Sequence, residues 1–233
     1  SLHPERLAVT VRDAGADLGF CFDGDADRCL AATAAGTVLD GDFILGYCGR
    51  ALDADGRLPE HTVVATVMSN LGLERFLERH DIQLLRTKVG DRYVLQSMME
   101  GGYGLGGEQS GHVIFLDVAP TGDGIATALR VATLWRSGAG ELEQTQAAMP
   151  HFPQVLVNIR VREKRAIEEH LVLGKAVQDA IAQMGGDGRV VVRYSGTEPK
   201  ARVMVEGPDE ITVRRVADDL ADRFRREIGW ESP

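Results

Sequence analysis

Three aspartates alternate along the stretch Asp23-Gly24-Asp25-Ala26-Asp27-Arg28, here called the acidic loop. The apolar run of residues 18–22 precedes it and predicts a buried strand that ends where the carboxylates begin. Carboxylates two residues apart can turn toward one point when the backbone curves, and Gly24 permits that curvature. The stretch offers oxygen ligands without Cys or His, so it predicts a site for Mg²⁺ or Ca²⁺ on Asp23, Asp25 and Asp27.

Two other interpretations of the acidic loop are an EF-hand and a solvated acidic turn. An EF-hand needs Gly at its sixth position and Glu at its twelfth, where this chain has Arg28 and Ala34. The EF-hand is therefore excluded. The solvated turn stays open on this stretch alone.

The composition is that of a globular protein with two or three small domains. The chain has 233 residues, 44% hydrophobic and 26% charged. A net charge of −9 at pH 7 argues against nucleic-acid and membrane partners, although a local basic pocket could bind phosphate. Three cysteines without C-x-x-C spacing indicate reduced thiols. With no apolar run of membrane-spanning length and no recognisable signal peptide, we predict a cytoplasmic protein.

The order of the predicted elements indicates an α/β fold followed by a small α+β domain. Strands alternate with amphipathic helices through residue 136, which predicts mixed, mostly parallel sheet units with helices on both faces. The last stretch reads β-α-β-β-α, with a long helix over residues 163–184. We also expect Thr121 to cap a helix that ends at Arg136.

Two further polar stretches lie between predicted strands. The first, called the Glu108 loop, is Gly107-Glu108-Gln109-Ser110-Gly111-His112. On an extended backbone its Glu108, Ser110 and His112 side chains project to one side, where they could hydrogen-bond to sugar hydroxyls. Arg193-Tyr194-Ser195-Gly196-Thr197-Glu198-Pro199, the hydroxyl loop, combines an Arg fork, two hydroxyls and a Gly that suit a phosphate. A polar strand edge and an ordinary turn are the respective alternatives.

A strand-to-helix turn, Thr87-Lys88-Val89-Gly90-Asp91-Arg92-Tyr93, carries two cations near a helix N-terminus. Lys88 and Arg92 could meet an anion there. Solvated charges at a turn explain the same residues equally well.

Together, the acidic loop, the Glu108 loop and the hydroxyl loop resemble the metal, sugar and phosphate loops of the α-D-phosphohexomutases, in that family's order. The resemblance covers essentially the whole chain. Within the family, Gln109 and residues 66–70 and 89–93 are similar to members that act on glucosamine phosphate. Members that act on glucose or mannose phosphates usually carry Met in place of Gln109 and form the first alternative. A non-catalytic relative that binds sugar phosphates is the second.

The resemblance implies a four-domain enzyme of which this chain matches only part. Residues 1–37 resemble the end of the second, metal-binding domain, 38–148 the sugar-binding third and 149–233 the phosphate-binding fourth. The catalytic phosphoserine belongs to the first domain, and no Ser here lies in a Thr-Ala-Ser-His-Asn-Pro context. The chain alone is therefore expected to be inactive. The missing N-terminal domains are its expected protein partner, and a homodimer is a possible assembly that the sequence does not decide.

The implied reaction interconverts glucosamine 6-phosphate and glucosamine 1-phosphate through a phosphoserine and a 1,6-bisphosphate. Its product would lead to UDP-N-acetylglucosamine and peptidoglycan. The resemblance assigns these residues to Mg²⁺ (Asp23, Asp25, Asp27), to the substrate (Glu108, Ser110, Arg193, Ser195, Gly196, Thr197) and to charge stabilisation or proton transfer (Arg28, Lys88, His112).

Overall fold

A computed structural model describes residues 4–138 and 142–230 of the chain. It divides into two compact units, Ser1–Pro150 and His151–Pro233, which are considered one at a time below. Helices accompany both parallel and antiparallel strands, which confirms the predicted α/β class. None of the helices in the described part of the chain combines the length and apolar character needed to cross a membrane.

A three-stranded antiparallel sheet carries the acidic loop. Helix α1 (Pro4–Ala14) is followed by β1 (Leu18–Phe22), β2 (Cys29–Thr33) and β3 (Val38–Leu39), in the spatial order β1-β2-β3. β2 is buried throughout, whereas β1 is half-buried and its last residue, Phe22, is 39% exposed. The predicted strand is confirmed, but its predicted burial is wrong, because among the strands that the structure describes β1 pairs with β2 alone.

A second sheet of four strands forms the centre of the first unit. Its elements are α2 (Gly41–Ala54), β4 (Thr62–Thr66), α3 (Leu71–Glu78), β5 (Gln83–Thr87), α4 (Asp91–Gly101), β6 (Leu105–Gly107), β7 (Val113–Phe115), α5 (Gly124–Ser137) and α6 (Leu142–Ala148). The strand order is β5-β4-β6-β7, with β4 parallel to β5 and β6, and β7 antiparallel. Among the described strands, parallel pairing is confined to this sheet. The carboxyl ends of β4, β5 and β6 meet at one edge, where three loops follow them.

Successive side chains of β4 point to opposite faces of the sheet and pack against helices on each face. Val63 and Ala65 join a core cluster that includes residues of α2 and α3, while Val64 packs in a cluster with Val94 and Met98 of α4. The period of two along a strand explains this division. Helices on both faces of the sheet were predicted and are confirmed.

The start of α5 differs from the prediction. The helix begins at Gly124 and is capped by Asp123, whose Oδ1 accepts a hydrogen bond from the Ala126 amide at 2.9 Å. Thr121 is therefore not the cap. The first residue of the helix also contacts the acidic loop, since the Gly124 amide donates to the Ala26 carbonyl at 2.9 Å. The short helix α6 was not predicted, because only Leu142 and Thr145 among its seven residues are buried.

The second unit has the predicted β-α-β-β-α order. Its elements are β8 (Gln154–Arg160), α7 (Leu171–Met184), β9 (Arg189–Tyr194), β10 (Lys200–Glu206) and α8 (Glu210–Ile228). The three strands are antiparallel in the order β8-β10-β9. Alternate residues of β8 and β10, such as Ile159, Ala201 and Val203, share a core cluster with α7 and α8.

The long helix predicted over residues 163–184 is wrong in its first half. A 3₁₀ turn at Ile167–Glu169 precedes α7, and Ala166 has extended backbone angles (φ −52°, ψ 129°). Residues 163–165 are all charged and have no apolar side chain to bury against the core. Lys164 is held differently, since its Nζ donates to the Ser195 carbonyl at 2.7 Å.

Candidate functional site

The acidic loop gathers its three carboxylates at one point. One oxygen from each of Asp23, Asp25 and Asp27 lies within 4.8 Å of the others. Ala26 adopts a left-handed conformation (φ 58°), which tightens the turn between the second and third aspartates. Oδ1 of Asp27 is buried and accepts no hydrogen bond within residues 4–138 and 142–230. Clustered carboxylates with a buried, unpartnered oxygen fit a hard divalent cation.

Two of these carboxylates have pKa values shifted in opposite directions. Burial raises the pKa of Asp27, and the neighbouring Asp23 carboxylate raises it further by hydrogen bonding and repulsion. Burial also raises the pKa of Asp23, but the Arg28 amide and the Asp27 carboxyl donate hydrogen bonds that outweigh it, so the net shift is downward. The pair therefore shares a proton more readily than isolated aspartates do.

Arg28 belongs to the acidic loop itself. Its amide donates to Asp23 Oδ1 at 3.2 Å, and its Nε lies 3.7 Å from Asp23 Oδ2. The Arg28 side chain remains 44% exposed, so its charge can also act toward a bound molecule. The role predicted for Arg28 in stabilising negative charge stays a prediction.

Backbone pairing joins the acidic loop to the Glu108 loop. Arg28 and His112 form an antiparallel bridge, and the Cys29 amide donates to the Gly111 carbonyl at 3.0 Å. His112 is 4% exposed, and its Nε2 lies 3.6 Å from Asp27 Oδ2. The predicted metal ligands and the predicted sugar-binding residues of the first unit therefore lie side by side.

The Glu108 loop is a tight turn, not the extended segment that was predicted. The Gly111 amide donates to the Glu108 carbonyl at 3.0 Å, and the Glu108 amide donates to the His112 carbonyl at 2.9 Å. Ser110 Oγ still reaches Glu108 Oε2, at 3.3 Å, so these two side chains meet as expected. His112 turns instead toward Asp27, because the positive φ of Gly111 (94°) ends the alternation of side chains.

The N-terminus of α2 supports this turn from behind. The Gly41 amide donates to the Gln109 carbonyl at 3.0 Å, and a Cβ on Gly41 would collide with the Glu108 carbonyl oxygen. The next residue, Asp42, is 3% exposed and accepts a hydrogen bond from the Asn70 amide at 2.7 Å. Sequence analysis missed Gly41 and Asp42, since an Asp-Gly-Asp at a helix start is an ordinary capping pattern.

The strand-to-helix turn after β5 meets the Glu108 loop through its backbone. The Gly90 amide donates to Glu108 Oε1 at 3.1 Å. Lys88 Nζ lies 6.0 Å from the centre of the Tyr93 ring, and the Arg92 guanidinium lies 4.5 Å from it. The backbone of this turn therefore contacts the Glu108 loop, while the side chains of Lys88 and Arg92 lie against the Tyr93 ring.

The hydroxyl loop lies in the second unit, between β9 and β10. Ser195 is 4% exposed; its amide donates to the Lys200 carbonyl at 2.8 Å and its Oγ accepts from the Glu198 amide at 3.3 Å. These bonds form a closed turn in which the Ser195 hydroxyl accepts a hydrogen bond and keeps its proton available to a ligand, as far as the described residues are concerned. At Gly196 a Cβ would meet nothing within 4 Å, so the backbone there is accessible.

Arg202, which sequence analysis did not single out, faces the same loop. It pairs in register with Arg193 across β10 and β9, and its Nη2 lies 3.5 Å from Glu198 Oε2. Hydrogen bonding and attraction from Lys200, with a further contribution from Arg202, lower the pKa of Glu198. Lys200 and Arg202 are two residues apart on β10 and so share one face of the strand, which is the sequence signal that could have identified Arg202.

The two units and their loops define a class of multidomain α/β protein with polar loops at strand ends. A family model described as "Phosphoglucomutase/phosphomannomutase, alpha/beta/alpha domain III" matches residues 40–152, and the "Phosphoglucomutase/phosphomannomutase, C-terminal domain" model matches residues 156–223. The chain belongs to the phosphoglucomutase/phosphomannomutase family. The predicted resemblance to phosphohexomutases is thereby confirmed.

Individual relatives agree with this assignment. The chain is 48% identical over 231 residues to a phosphoglucosamine mutase of Geobacillus thermodenitrificans, a match covering 99% of this chain and 52% of the relative. A phosphoglucomutase/phosphomannomutase family protein of Burkholderia thailandensis has a similar fold, with a TM-score of 0.74 at 22% identity over 98% of this chain and 52% of that one. An Aspergillus fumigatus N-acetylphosphoglucosamine mutase, solved in complex with GlcNAc-6P and magnesium, also has a similar fold. Its TM-score is 0.72 at 20% identity, and the match covers 89% of this chain and 48% of that one. The chain spans about half the length of the relatives it matches.

Proposed function

We propose that this chain forms the metal-, sugar- and phosphate-binding part of a phosphoglucosamine mutase. The observation that carries the proposal is the junction of the acidic loop with the Glu108 loop, made by Cys29 with Gly111 and by Asp27 with His112. That junction sets a cation site directly beside groups suited to sugar hydroxyls. The 48% identity to a phosphoglucosamine mutase supports the choice of glucosamine phosphate.

The acidic loop suits Mg²⁺ by its donor set. Asp23, Asp25 and Asp27 would hold the ion, and the buried Oδ1 of Asp27 would gain the partner it lacks among the described residues. When bound, Mg²⁺ would supply positive charge that offsets the charge of a phosphoryl group during transfer. His112 is proposed to position the Asp27 carboxylate, since its imidazole packs 3.6 Å from it.

Substrate binding is assigned to the two other loops. Glu108 is proposed to accept hydrogen bonds from ring hydroxyls, because the Gly90 amide and Ser110 already orient its two oxygens. Arg193, Ser195, Gly196 and Thr197 are proposed to bind the phosphate that is not reacting, by charge-assisted hydrogen bonds. Arg28 and Lys88 are proposed to stabilise developing negative charge. The proposal also includes Mg²⁺ as the metal, a cytoplasmic location and a role in supplying peptidoglycan precursors.

A chimera tests the proposed function. We would fuse this chain to the part of the Geobacillus thermodenitrificans enzyme that the match does not cover. With Mg²⁺ and glucose 1,6-bisphosphate, the chimera is expected to convert glucosamine 6-phosphate to glucosamine 1-phosphate. The 233-residue chain assayed alone is expected to show no turnover. Assays with glucose 6-phosphate and mannose 6-phosphate measure the alternative substrates.

Matched variants make the result specific. Asp25→Asn in the chimera should abolish most of the activity, whereas Asp13→Asn, an exposed position on α1, should leave it unchanged. A chimera that folds but prefers glucose or mannose phosphate would replace the proposed substrate. Equal activity in the Asp25→Asn variant would contradict the proposed site.

A further inference from the structure

A cleft of about 620 Å³ opens in the first unit at the end of the second sheet opposite the Glu108 loop. Gly104, just before β6, and Leu116, just after β7, line it. The Glu108 loop joins the other ends of these two strands. The cleft is therefore separate from the candidate site. Its lining residues include Leu52, Arg57, Met98, Met99, Tyr103 and Asp117.

The walls of the cleft are mainly apolar and adaptable. Met98 is fully buried at its base, while Met99 at its rim is 66% exposed. Methionine side chains adjust to irregular shapes and make favourable contacts with aromatic rings. A volume of 620 Å³ lies inside the range of roughly 300–1,000 Å³ found for small-molecule sites. The cleft thus offers an apolar surface large enough for a ring system or a short chain.

The polar side of the cleft carries an excess of positive charge. Arg57 Nη2 lies 3.2 Å from Asp117 Oδ2, and Arg130 Nη2 binds both oxygens of the same carboxylate at 2.9 Å. Two guanidinium groups thus face one carboxylate, which leaves one positive charge uncompensated within the triad. Arg130 is further held 5.0 Å above the Phe115 ring. Arg57 lines the cleft and is 55% exposed, so its remaining donors can meet a ligand.

We propose that this cleft binds a small amphipathic monoanion. Its apolar body would contact Met98, Met99 and Tyr103, and its anionic group would lie against Arg57. A neutral molecule of the same shape would gain the apolar contacts alone. A cation would be repelled by the charge excess of the triad. The proposal does not depend on the function proposed for the loops at the other edge.

Methyl NMR on the full chain locates binding directly. The chain has six methionines, and only Met98 and Met99 line the cleft. With ¹³C-methyl methionine, we would titrate 1-anilinonaphthalene-8-sulfonate, an apolar sulfonate, and N-phenyl-1-naphthylamine, its uncharged counterpart. The sulfonate is expected to shift Met98 and Met99 saturably. Met68, Met149, Met184 and Met204 serve as internal references. Absent shifts, or shifts spread evenly over all six methyl groups, would overturn the proposal.

Two charge-neutralising variants test the role of Arg57. Arg57→Gln should weaken sulfonate binding by roughly two- to fivefold, the range for an exposed ion pair, and leave the uncharged probe unaffected. Arg136→Gln removes the same charge from an exposed position on α5 outside the cleft and should change neither affinity. Equal affinity of the native chain for both probes, or equal effects of the two variants, would refute an anion site. Unchanged thermal melting of Arg57→Gln would show that the fold is retained.

Discussion

Gly111 and Cys29 hold each other by a hydrogen bond and by close backbone contact. The Cys29 amide donates to the Gly111 carbonyl at 3.0 Å, and a Cβ on Gly111 would stand 3.0 Å from the Cys29 carbonyl carbon and collide with its oxygen. Gly111 also has φ +94°, which an L side chain rarely adopts. The junction of the acidic loop and the Glu108 loop therefore requires glycine on one side.

Gly111→Ala is the first prediction. The added methyl must displace the β2 backbone, so we expect the first unit to lose more than about 2 kcal/mol of unfolding free energy. Gly56→Ala is the matched control: its φ is +66° and its Cβ would meet nothing within 4 Å, so it should cost about 1 kcal/mol. Urea unfolding followed by Trp135 fluorescence, in a Trp230→Phe background, measures both. Equal losses would show that the junction is not close-packed.

Mg²⁺ binding to this chain is expected to be weak and to depend on Asp25. Three carboxylates are available, but Mg²⁺ gives up its waters reluctantly and few protein ligands yield modest affinity. Asp25→Asn should lower the affinity strongly, whereas Asp13→Asn should not change it. Isothermal titration calorimetry would detect the difference. Tight binding that survives Asp25→Asn would contradict the acidic loop as the metal site.

The stability of the first unit should fall as the pH rises toward 7 because of Asp42. Burial raises the pKa of Asp42 to about 7, with repulsion from Asp40 adding to the shift. The folded state therefore binds this proton more tightly than the unfolded state. The resulting stability is complete below the ordinary value of 3.8 and is lost as pH rises through about 7. A shift of about three pKa units corresponds to at most roughly 4 kcal/mol.

Asp42→Asn should remove this part of the pH dependence. Asparagine keeps an oxygen that can accept the hydrogen bond from Asn70, so the variant should fold. Unfolding free energies at pH 4 and pH 7, measured through Trp135 as above, are expected to differ less in the variant than in the native chain. The difference between the two proteins isolates Asp42 from other groups that titrate in this window. Parallel pH profiles would refute the assignment.

Arg193 should determine phosphate binding to the second unit. The forked guanidinium can make two charge-assisted hydrogen bonds to one phosphate, while water and salt compete at this loop, so we expect about millimolar binding of glucosamine 6-phosphate. NMR should show shifts of the amides of Ser195, Gly196 and Thr197. Arg193→Ala should abolish them, and Arg193→Lys should restore little, because an ammonium cannot reproduce the fork. Arg214→Lys, on the exposed face of α8, is the control.

The same NMR titration distinguishes phosphate binding at the hydroxyl loop from a general effect of charge. Added salt should weaken the shifts progressively in the native chain. Shifts that appear elsewhere while the amides of residues 195–197 stay in place would show that the hydroxyl loop is an ordinary turn.

Local residue patterns were enough to predict the α/β class, most strand positions and the three loops. The β-rich run at residues 62–67 and the β-α-β-β-α order of the second unit need only neighbouring residues to be recognised. The acidic loop could likewise be recognised as a set of oxygen ligands, because its three aspartates lie within five consecutive residues. These features depend on interactions within a few residues of the chain.

Contacts between distant residues decided the rest. The Glu108 loop folds as a turn because Gly41 and Gly90 donate hydrogen bonds to it from other elements. His112 faces Asp27 only once β2 has paired with the end of that turn. The burial that shifts the pKa of Asp42 exists only when α2 packs beside the loop after β4. Such hydrogen bonds and desolvation arise from packing across the sheet, which no local periodicity encodes.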